Sequence, residues 1–173
     1  SGASFEAHPA LVVSGTYCHL DQPMIVADQG KVSIAYRTWQ NWDNHTWVGS
    51  LHSTDAGATF FANNLDLWAW PGGGSVGFVG LTRSGNHVAM AWQNDYWNCR
   101  NAYVAASTNG GTNFTVTLLN DVNAGGYGGV AFQDSTGSDS GGGAIRPKLA
   151  WMGQNLYAVW TGIFTNDNSV LRA

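Results

Sequence analysis

Two copies of one eight-residue pattern decide the fold: Ser53-Thr54-Asp55-Ala56-Gly57-Ala58-Thr59-Phe60 and Ser107-Thr108-Asn109-Gly110-Gly111-Thr112-Asn113-Phe114, 54 residues apart. A pair of apolar segments joined by a short turn precedes each copy, at residues 23–36 and 76–92. The same pair occurs a third time at residues 147–160. The chain of 173 residues therefore contains an internal repeat.

Each repeat predicts four short strands: two apolar strands, a third before the eight-residue turn and a fourth after it. Four strands in a unit of about 50 residues is the period of a β-propeller blade. We therefore predict an all-β chain of about three blades at residues 19–74, 75–129 and 130–173. Residues 1–18 supply an N-terminal strand that completes the third blade, so that residues 1–173 form one propeller unit.

Three blades are too few for a closed propeller, which typically has 4 to 8. Two copies of the chain would close a six-bladed ring, as a homodimer. The other explanation is that the chain belongs to a longer propeller with the same period. A different β-fold, such as a sandwich, remains a third alternative.

Composition excludes several classes of partner. The chain has 7 basic and 11 acidic residues, a net charge of −4 and 10% charged residues, against roughly 25% in an average protein. With no cluster of Lys and Arg to contact phosphates, nucleic acid is not an expected partner. No stretch of about 20 apolar residues is present, so membrane insertion is not expected either.

The eight-residue pattern resembles the Asp-box of BNR-repeat, sialidase-like propellers, which is Ser-x-Asp-x-Gly-x-Thr followed by Trp or Phe. The first copy fits every position, and the second has Asn109 and Asn113 in place of Asp and Thr. The resemblance implies a structural role in the turns for Ser53, Asp55, Gly57, Thr59, Phe60, Ser107, Asn109, Gly111 and Phe114. Because hydrolases, lectins and adhesins all carry such turns, it predicts fold better than function.

In that family, ligands bind the face opposite the Asp-boxes, where strand 2 connects to strand 3 and one blade to the next. The predicted connections at residues 37–45, 93–100 and 161–168 each combine an aromatic residue with an Asp flanked by Asn. Flat aromatic rings stack on the apolar face of a sugar, and Asp and Asn bind its hydroxyls. The candidate ligand-binding residues are Arg37, Trp39, Trp42, Asp43, His45, Trp68, Trp70, Asp95, Tyr96, Trp97, Arg100 and Asp167.

Four aromatic residues have a different expected role, because they lie within predicted strands. We expect Tyr36, Trp92, Trp151 and Trp160 to pack the blades together.

The leading functional hypothesis is a secreted or surface-exposed propeller that binds glycans without hydrolysing them. A glycoside hydrolase is the alternative, with catalytic residues shared between chains or located outside this sequence. Asp43 and Asp95 are then the acid and base candidates. A sialidase needs a glutamate at its central site. The only glutamate of this chain, Glu6, is predicted on an outer strand away from that site, so a sialidase within this chain is disfavoured. A structural adhesin or appendage subunit is the third hypothesis.

The remaining expectations concern modification and metals. Cys18 and Cys99 are both predicted in connections on the ligand face, where a disulfide is one hypothesis and buried thiols are the other. The loop containing Asp134 and Asp139 has the oxygen ligands that calcium prefers, although a solvated loop is the alternative. No other metal and no cofactor is expected. Asn44 and Asn113 lie in glycosylation sequons, which matter only in a eukaryotic secretory system.

Overall fold

The computed structural model describes residues 18–40, 46–63, 65, 75–96, 99–119, 143–163 and 169–172. Every regular element within these ranges is a β-strand, which confirms the predicted all-β class. None of the described residues forms a helix long and apolar enough to cross a membrane. The predicted N-terminal strand lies outside the described residues.

The strands form three consecutive units. Unit 1 contains β1 (Cys18–Asp28), β2 (Lys31–Gln40), β3 (Thr46–Ser53) and β4 (Phe61–Ala62). Unit 2 contains β5 (Ser75–Ser84), β6 (His87–Tyr96), β7 (Cys99–Ser107) and β8 (Thr115–Leu118). Unit 3 contains β9 (Gly143–Met152), β10 (Asn155–Ile163) and β11 (Ser169–Arg172).

Successive strands within a unit are antiparallel neighbours, so units 1 and 2 are each a four-stranded meander. A single parallel pair, Arg100 with Gly143, connects unit 2 to unit 3. No closed sheet forms among the described residues.

The three units repeat the same register. Their first two strands are joined by two-residue turns at residues 29–30, 85–86 and 153–154. Equivalent positions therefore lie 56 residues apart between units 1 and 2, and 68 apart between units 2 and 3. In each unit the pairing shifts once, opposite Tyr36, Trp92 or Trp160.

The first eight-residue turn is held by its own side chains. The Ser53 hydroxyl accepts from the Gly57 N–H (2.8 Å) and donates to Asp55 Oδ1 (2.7 Å). Asp55 also accepts from the Thr59 hydroxyl (2.6 Å) and the Thr59 N–H (2.9 Å). These bonds, led by the Thr59 hydroxyl, lower the pKa of Asp55 to about 2. The turn also requires the positive φ of Gly57, +91°.

The second turn repeats this arrangement with an amide in place of the carboxylate. Ser107 Oγ accepts from the Gly111 N–H (3.0 Å), and Asn109 Oδ1 accepts from the Asn113 N–H (3.0 Å). Only one oxygen of the Asp is needed for that main-chain bond, which explains why Asn109 is compatible with the same turn.

The core lies where unit 2 packs face to face on unit 1. β5 contacts β1, β2 and β3, and β9 likewise contacts β5, β6 and β7. Buried apolar side chains fill the first of these interfaces: Ala35 and Val48 from unit 1, and Leu81, Val88, Met90, Trp92 and Ala105 from unit 2.

A buried chain of hydrogen bonds crosses this interface on the side of the eight-residue turns. Arg83 Nη1 donates to the Ser33 hydroxyl, which lies 2.9 Å from His52 Nδ1. His52 Nε2 lies 3.0 Å from the Ser50 hydroxyl, and Ser50 donates to the carbonyl of Asn63 (2.6 Å). We refer to these five residues as the seam chain.

The two ends of the seam chain fix the tautomer of His52. The Ser50 hydroxyl donates its one proton to the carbonyl of Asn63 and can therefore only accept from His52. Nε2 of His52 thus carries a proton and donates it to Ser50. Nδ1 of the neutral ring then accepts from Ser33, whose oxygen accepts from Arg83. Every bond in the chain therefore has the same donor direction, from Arg83 to Asn63.

The ring of His52 is also enclosed by unit 2 and by aromatic side chains. It is fully buried, with the rings of Phe61 and Phe114 at centroid distances of 5.5 and 5.6 Å. A Cβ on Gly111 would lie 2.5 Å from its Cδ2 atom. Close approach of the second turn to His52 therefore depends on a glycine at position 111.

We predict that Gly111→Ala destabilises the protein more than Gly110→Ala. Both glycines have positive φ, +100° and +79°, so each alanine incurs about 1–2 kcal/mol of backbone strain. Only the alanine at position 111 meets the His52 ring, which adds about 1–3 kcal/mol of overpacking. Urea unfolding measures both variants, and equal losses would show that the ring contact is unimportant.

We also predict a loss of stability on mild acidification that depends on His52. Burial, followed by the charge of Arg83, lowers the pKa of His52 from 6.5 to about 4. The unfolded chain therefore binds this proton first, and the stabilisation, complete above pH 6.5, is lost as the pH falls towards 4. The expected loss between pH 6.5 and 4.5 is about 2 kcal/mol.

Urea unfolding at both pH values measures this effect, with His52→Asn as the matched variant that does not titrate. Asp55 contributes little in this range, because its pKa of about 2 in the folded protein and 3.8 in the unfolded chain both lie below pH 4.5. An equal pH dependence in the variant and the natural chain would contradict the assignment.

Candidate functional site

The end of the sheets away from the eight-residue turns is the candidate site. It is formed by the first residues of β1 and β5 and the last residues of β2 and β6, and we call it the loop end. β3 and β7 begin at the same end. It is the end at which the sequence predicts ligand binding.

An ion pair with two hydrogen bonds lies at the loop end of unit 1. Arg37 Nε donates to Asp21 Oδ1 at 2.7 Å, and Nη2 donates to Oδ2 of the same carboxylate. The side chains are 22% and 44% exposed, respectively. The planar guanidinium and the carboxylate therefore hold each other in one orientation at the protein surface.

A bulge in β1 creates this pair. The hairpin pairs Asp28 with Lys31 and Met24 with Ala35, a register that would place Asp21 opposite Thr38. The shift between Asp21 and Met24 places Asp21 opposite Arg37 instead. Gln22 adopts a φ of +51° within the bulge. Such bulges re-aim side chains and are common beside functional sites.

At the loop end of unit 2, an acidic and a basic residue again occupy paired positions. Asp95 pairs with Arg100 in the β6–β7 ladder and with Ser75 on β5. The pair of Arg100 with Gly143 brings the start of unit 3 to the same place. The register of β6 and β7 thus places the predicted site residues Asp95, Tyr96 and Arg100 next to one another.

The structure corrects the predicted boundaries of the connections. β2 continues through Arg37 and Trp39 to Gln40, and β6 continues through Asp95 to Tyr96. β7 begins at Cys99 and contains Arg100, and β10 continues to Ile163. The predicted connections of eight and nine residues were too long, because the antiparallel ladders of β2, β6, β7 and β10 continue into them. The aromatic residues in these segments favour strands.

Several predicted residues lie outside the described residues, and their roles stay predictions. They are Trp42, Asp43, His45, Trp68, Trp70, Trp97 and Asp167, together with Asp134 and Asp139 of the proposed calcium loop and Asn44 of the first sequon. Asn113 of the second sequon is exposed in its turn.

The two cysteines begin strands instead of lying in connections. Cys18 is the first residue of β1, opposite Gln40, and Cys99 is the first residue of β7, opposite Tyr96. Both are therefore at the loop end of their units, where the sequence places them, and their disulfide stays a prediction.

Of the four aromatic residues predicted to pack the blades, Trp92 lies in the core between units 1 and 2, and the Trp151 ring contacts His87 of unit 2. Tyr36 and Trp92 are buried, and Trp151 and Trp160 are half-buried. The Tyr36 ring covers Gly49, whose Cβ, if present, would lie 2.4 Å from it. At the equivalent place in unit 2, the Trp92 ring stacks on Tyr103 with a centroid distance of 5.6 Å.

Three important residues were not predicted from the sequence: Asp21, His52 and Arg83. Asp21 precedes Arg37 by 16 residues across a hairpin, but their pairing depends on the bulge. A search of described residues for three or more His, Cys, Asp or Glu side chains grouped around a possible metal gives no group.

The fold is similar to that of a thermostable family-43 glycoside hydrolase. That likeness has a TM-score of 0.50 and 9% sequence identity, and covers 88% of this chain and 53% of the hydrolase. The chain thus spans about half the length of that protein, whose family folds as a five-bladed β-propeller. The predicted propeller architecture is supported at the level of fold, whereas the number of blades and the Asp-box resemblance stay predictions.

A second match is an exo-1,5-α-L-arabinanase from a bovine ruminal metagenomic library. Its TM-score is 0.38 with 11% identity, over 89% of this chain and 74% of that chain. No family model matches the sequence, and the search of curated proteins gave no significant match.

Proposed function

We propose that this chain is part of a secreted or surface-exposed β-propeller that binds glycans at the loop end. The observation that carries the proposal is the partly exposed pair of Asp21 and Arg37, fixed by two hydrogen bonds at the β1 bulge. Neighbouring sugar hydroxyls each donate and accept hydrogen bonds. A carboxylate beside a guanidinium offers acceptors and donors to them at fixed spacing.

The Asp21 and Arg37 side chains are already oriented before a glycan binds, which supports their proposed role in binding. Because the ion pair already holds both side chains, a ligand does not have to order them, and that lowers the entropic cost of association. The carboxylate has two oxygens with about four lone-pair directions, and the two hydrogen bonds from Arg37 engage one on each oxygen. Its 44% exposure leaves it accessible to a hydroxyl from solvent.

Aromatic residues at the same end would supply the apolar contacts. Trp39 lies in β2 two residues after Arg37, and Trp42 and Trp97 follow β2 and β6 in the sequence. A pyranose stacked on such a ring would present its hydroxyls to the neighbouring polar groups. Similar sites on successive units would increase affinity through multivalency.

Glycoside hydrolysis is the second candidate, because the fold is similar to that of a glycoside hydrolase. Hydrolysis generally needs two carboxyl groups about 5–9.5 Å apart. Asp21 would be one of them, and Asp43 and Asp95 are the candidates for the other. In that case ligand binding at the loop end is retained and turnover is added to it.

We predict that Asp21→Asn weakens glycan binding at least tenfold, or about 1.4 kcal/mol. The change leaves the shape of the side chain intact but removes the charge and one acceptor for Arg37. Asp55→Asn is the matched control, because it makes the same substitution at the opposite end of the sheet, where Asn109 occupies the equivalent turn position. A glycan array identifies ligands, and calorimetry then compares the two variants.

The same variants separate binding from catalysis when a panel of fluorogenic glycosides is added. Turnover by the natural chain that disappears in Asp21→Asn, Asp43→Asn or Asp95→Asn, but not in Asp55→Asn, would identify a hydrolase. Binding without turnover would identify a lectin-type protein. Equal glycan affinity of Asp21→Asn and Asp55→Asn would contradict the proposed site.

A further inference from the structure

Each unit has two faces with different roles in packing. The forward face is covered by the first strand of the next unit, and the rear face packs on the unit before it. In unit 1 the forward face includes Ser33, and in unit 2 the rear face includes Leu81 and Arg83. The described residues contain two such interfaces, between units 1 and 2 and between units 2 and 3.

At one pair of facing positions, both interfaces combine a small side chain with a large one. Between units 1 and 2, small Ser33 on the forward face contacts large Arg83 on the rear face. The equivalent positions between units 2 and 3 are Ala89, which is fully buried, and Trp151. Trp151 contacts unit 2 there, with its ring 5.1 Å from that of His87. Both interfaces thus combine a small forward residue with a large rear one.

Two faces have no neighbouring unit among the described residues, and both expose apolar side chains. On the rear face of unit 1, Ile25 is 67% exposed, although its equivalent in unit 2, Leu81, is buried in the core. On the forward face of unit 3, Met152 is 64% and Tyr157 is 49% exposed. Exposed apolar patches of this kind mark interaction surfaces.

The size pattern is inverted on these two faces. Tyr157 of unit 3 is at the position of Ser33, and Ala27 of unit 1 is at the position of Arg83. A large forward residue would therefore meet a small rear residue, which keeps the combined volume similar to that in the internal interfaces. The two exposed faces are complementary to each other in the way that the internal faces are.

We propose that a second copy of this chain covers both faces, with Tyr157 of each copy packed over Ala27 of the other. The contact continues the interfaces already present between units, with the forward face of unit 3 on the rear face of unit 1. Because the described residues of each copy have one uncovered face of each kind, two copies related by a twofold axis cover both, and their described units close as a ring of six. This inference does not depend on glycan binding.

Light scattering across a concentration series tests the proposal with the full chain. The natural chain is expected to have twice the 18.4 kDa mass of one copy. Ala27→Trp puts a large residue against Tyr157, and Tyr157→Ala removes the residue that fills the interface. Each variant alone is expected to raise the dissociation constant of the dimer at least tenfold. Val116→Trp is the control, at an exposed position on β8 outside both faces.

Mixing the two weakened variants gives the sharpest result. In a mixed dimer one interface combines Trp at position 27 with Ala at position 157, the pattern of Trp151 and Ala89, and the other interface is unchanged. The mixture is therefore expected to regain the dimer mass, which variants that had failed to fold would not do. A natural chain that stays monomeric, an open series of larger masses, or a dimer unaffected by both variants would overturn the proposal.

Discussion

Contact between units 1 and 2 depends on the hydrogen bonds that run from Arg83 through Ser33, His52 and Ser50 to Asn63. A buried cation and a buried imidazole are costly unless each polar atom is paired. Here Arg83 Nε and Nη1 and both ring nitrogens of His52 are paired, all donors in the chain have the same direction, and Arg83 Nη2 is the one buried nitrogen of these two side chains without a hydrogen-bond partner. The chain links β5 to β2, β3 and the segment after β4, and it fixes how the two sheets lie against each other.

The two ends of the sheets differ in how their polar side chains are enclosed, and the seam chain lies at only one of them. It occupies the side of the eight-residue turns, together with the rings of Phe61 and Phe114. The polar groups there are enclosed and bind one another. At the loop end, by contrast, Asp21 and Arg37 are partly exposed. The two ends of the same strands therefore have different roles. The end with the eight-residue turns stabilises the packing of the units, and the loop end presents polar side chains to solvent.

Local patterns predicted much of the fold. The repeat of Ser53–Phe60 at Ser107–Phe114, with apolar alternation before each copy, was enough to predict strands, turns and units, because each signal is contained in a few neighbouring residues. The pairing of Asp21 with Arg37 was not predictable in this way, since it requires a bulge that shifts the register by one residue. Arg83 was missed because its partner Ser33 belongs to unit 1, and His52 was missed because Gly111 and Phe114, which enclose its ring, belong to unit 2. The loop boundaries were wrong because the repeat pattern does not show how far a ladder continues, and the pairing of β6 with β7 extends to Tyr96 and Cys99.

We propose that the loop end is the ligand-binding end of the molecule. This proposal is tested most directly by two-dimensional amide NMR of the isotope-labelled chain during titration with an oligosaccharide selected by glycan array. The shifted resonances are expected to cluster around Asp21, Arg37 and Trp39 and at the end of β6, while those of residues 53–60 and 107–114 stay unchanged. Shifts concentrated in the two eight-residue turns would contradict it.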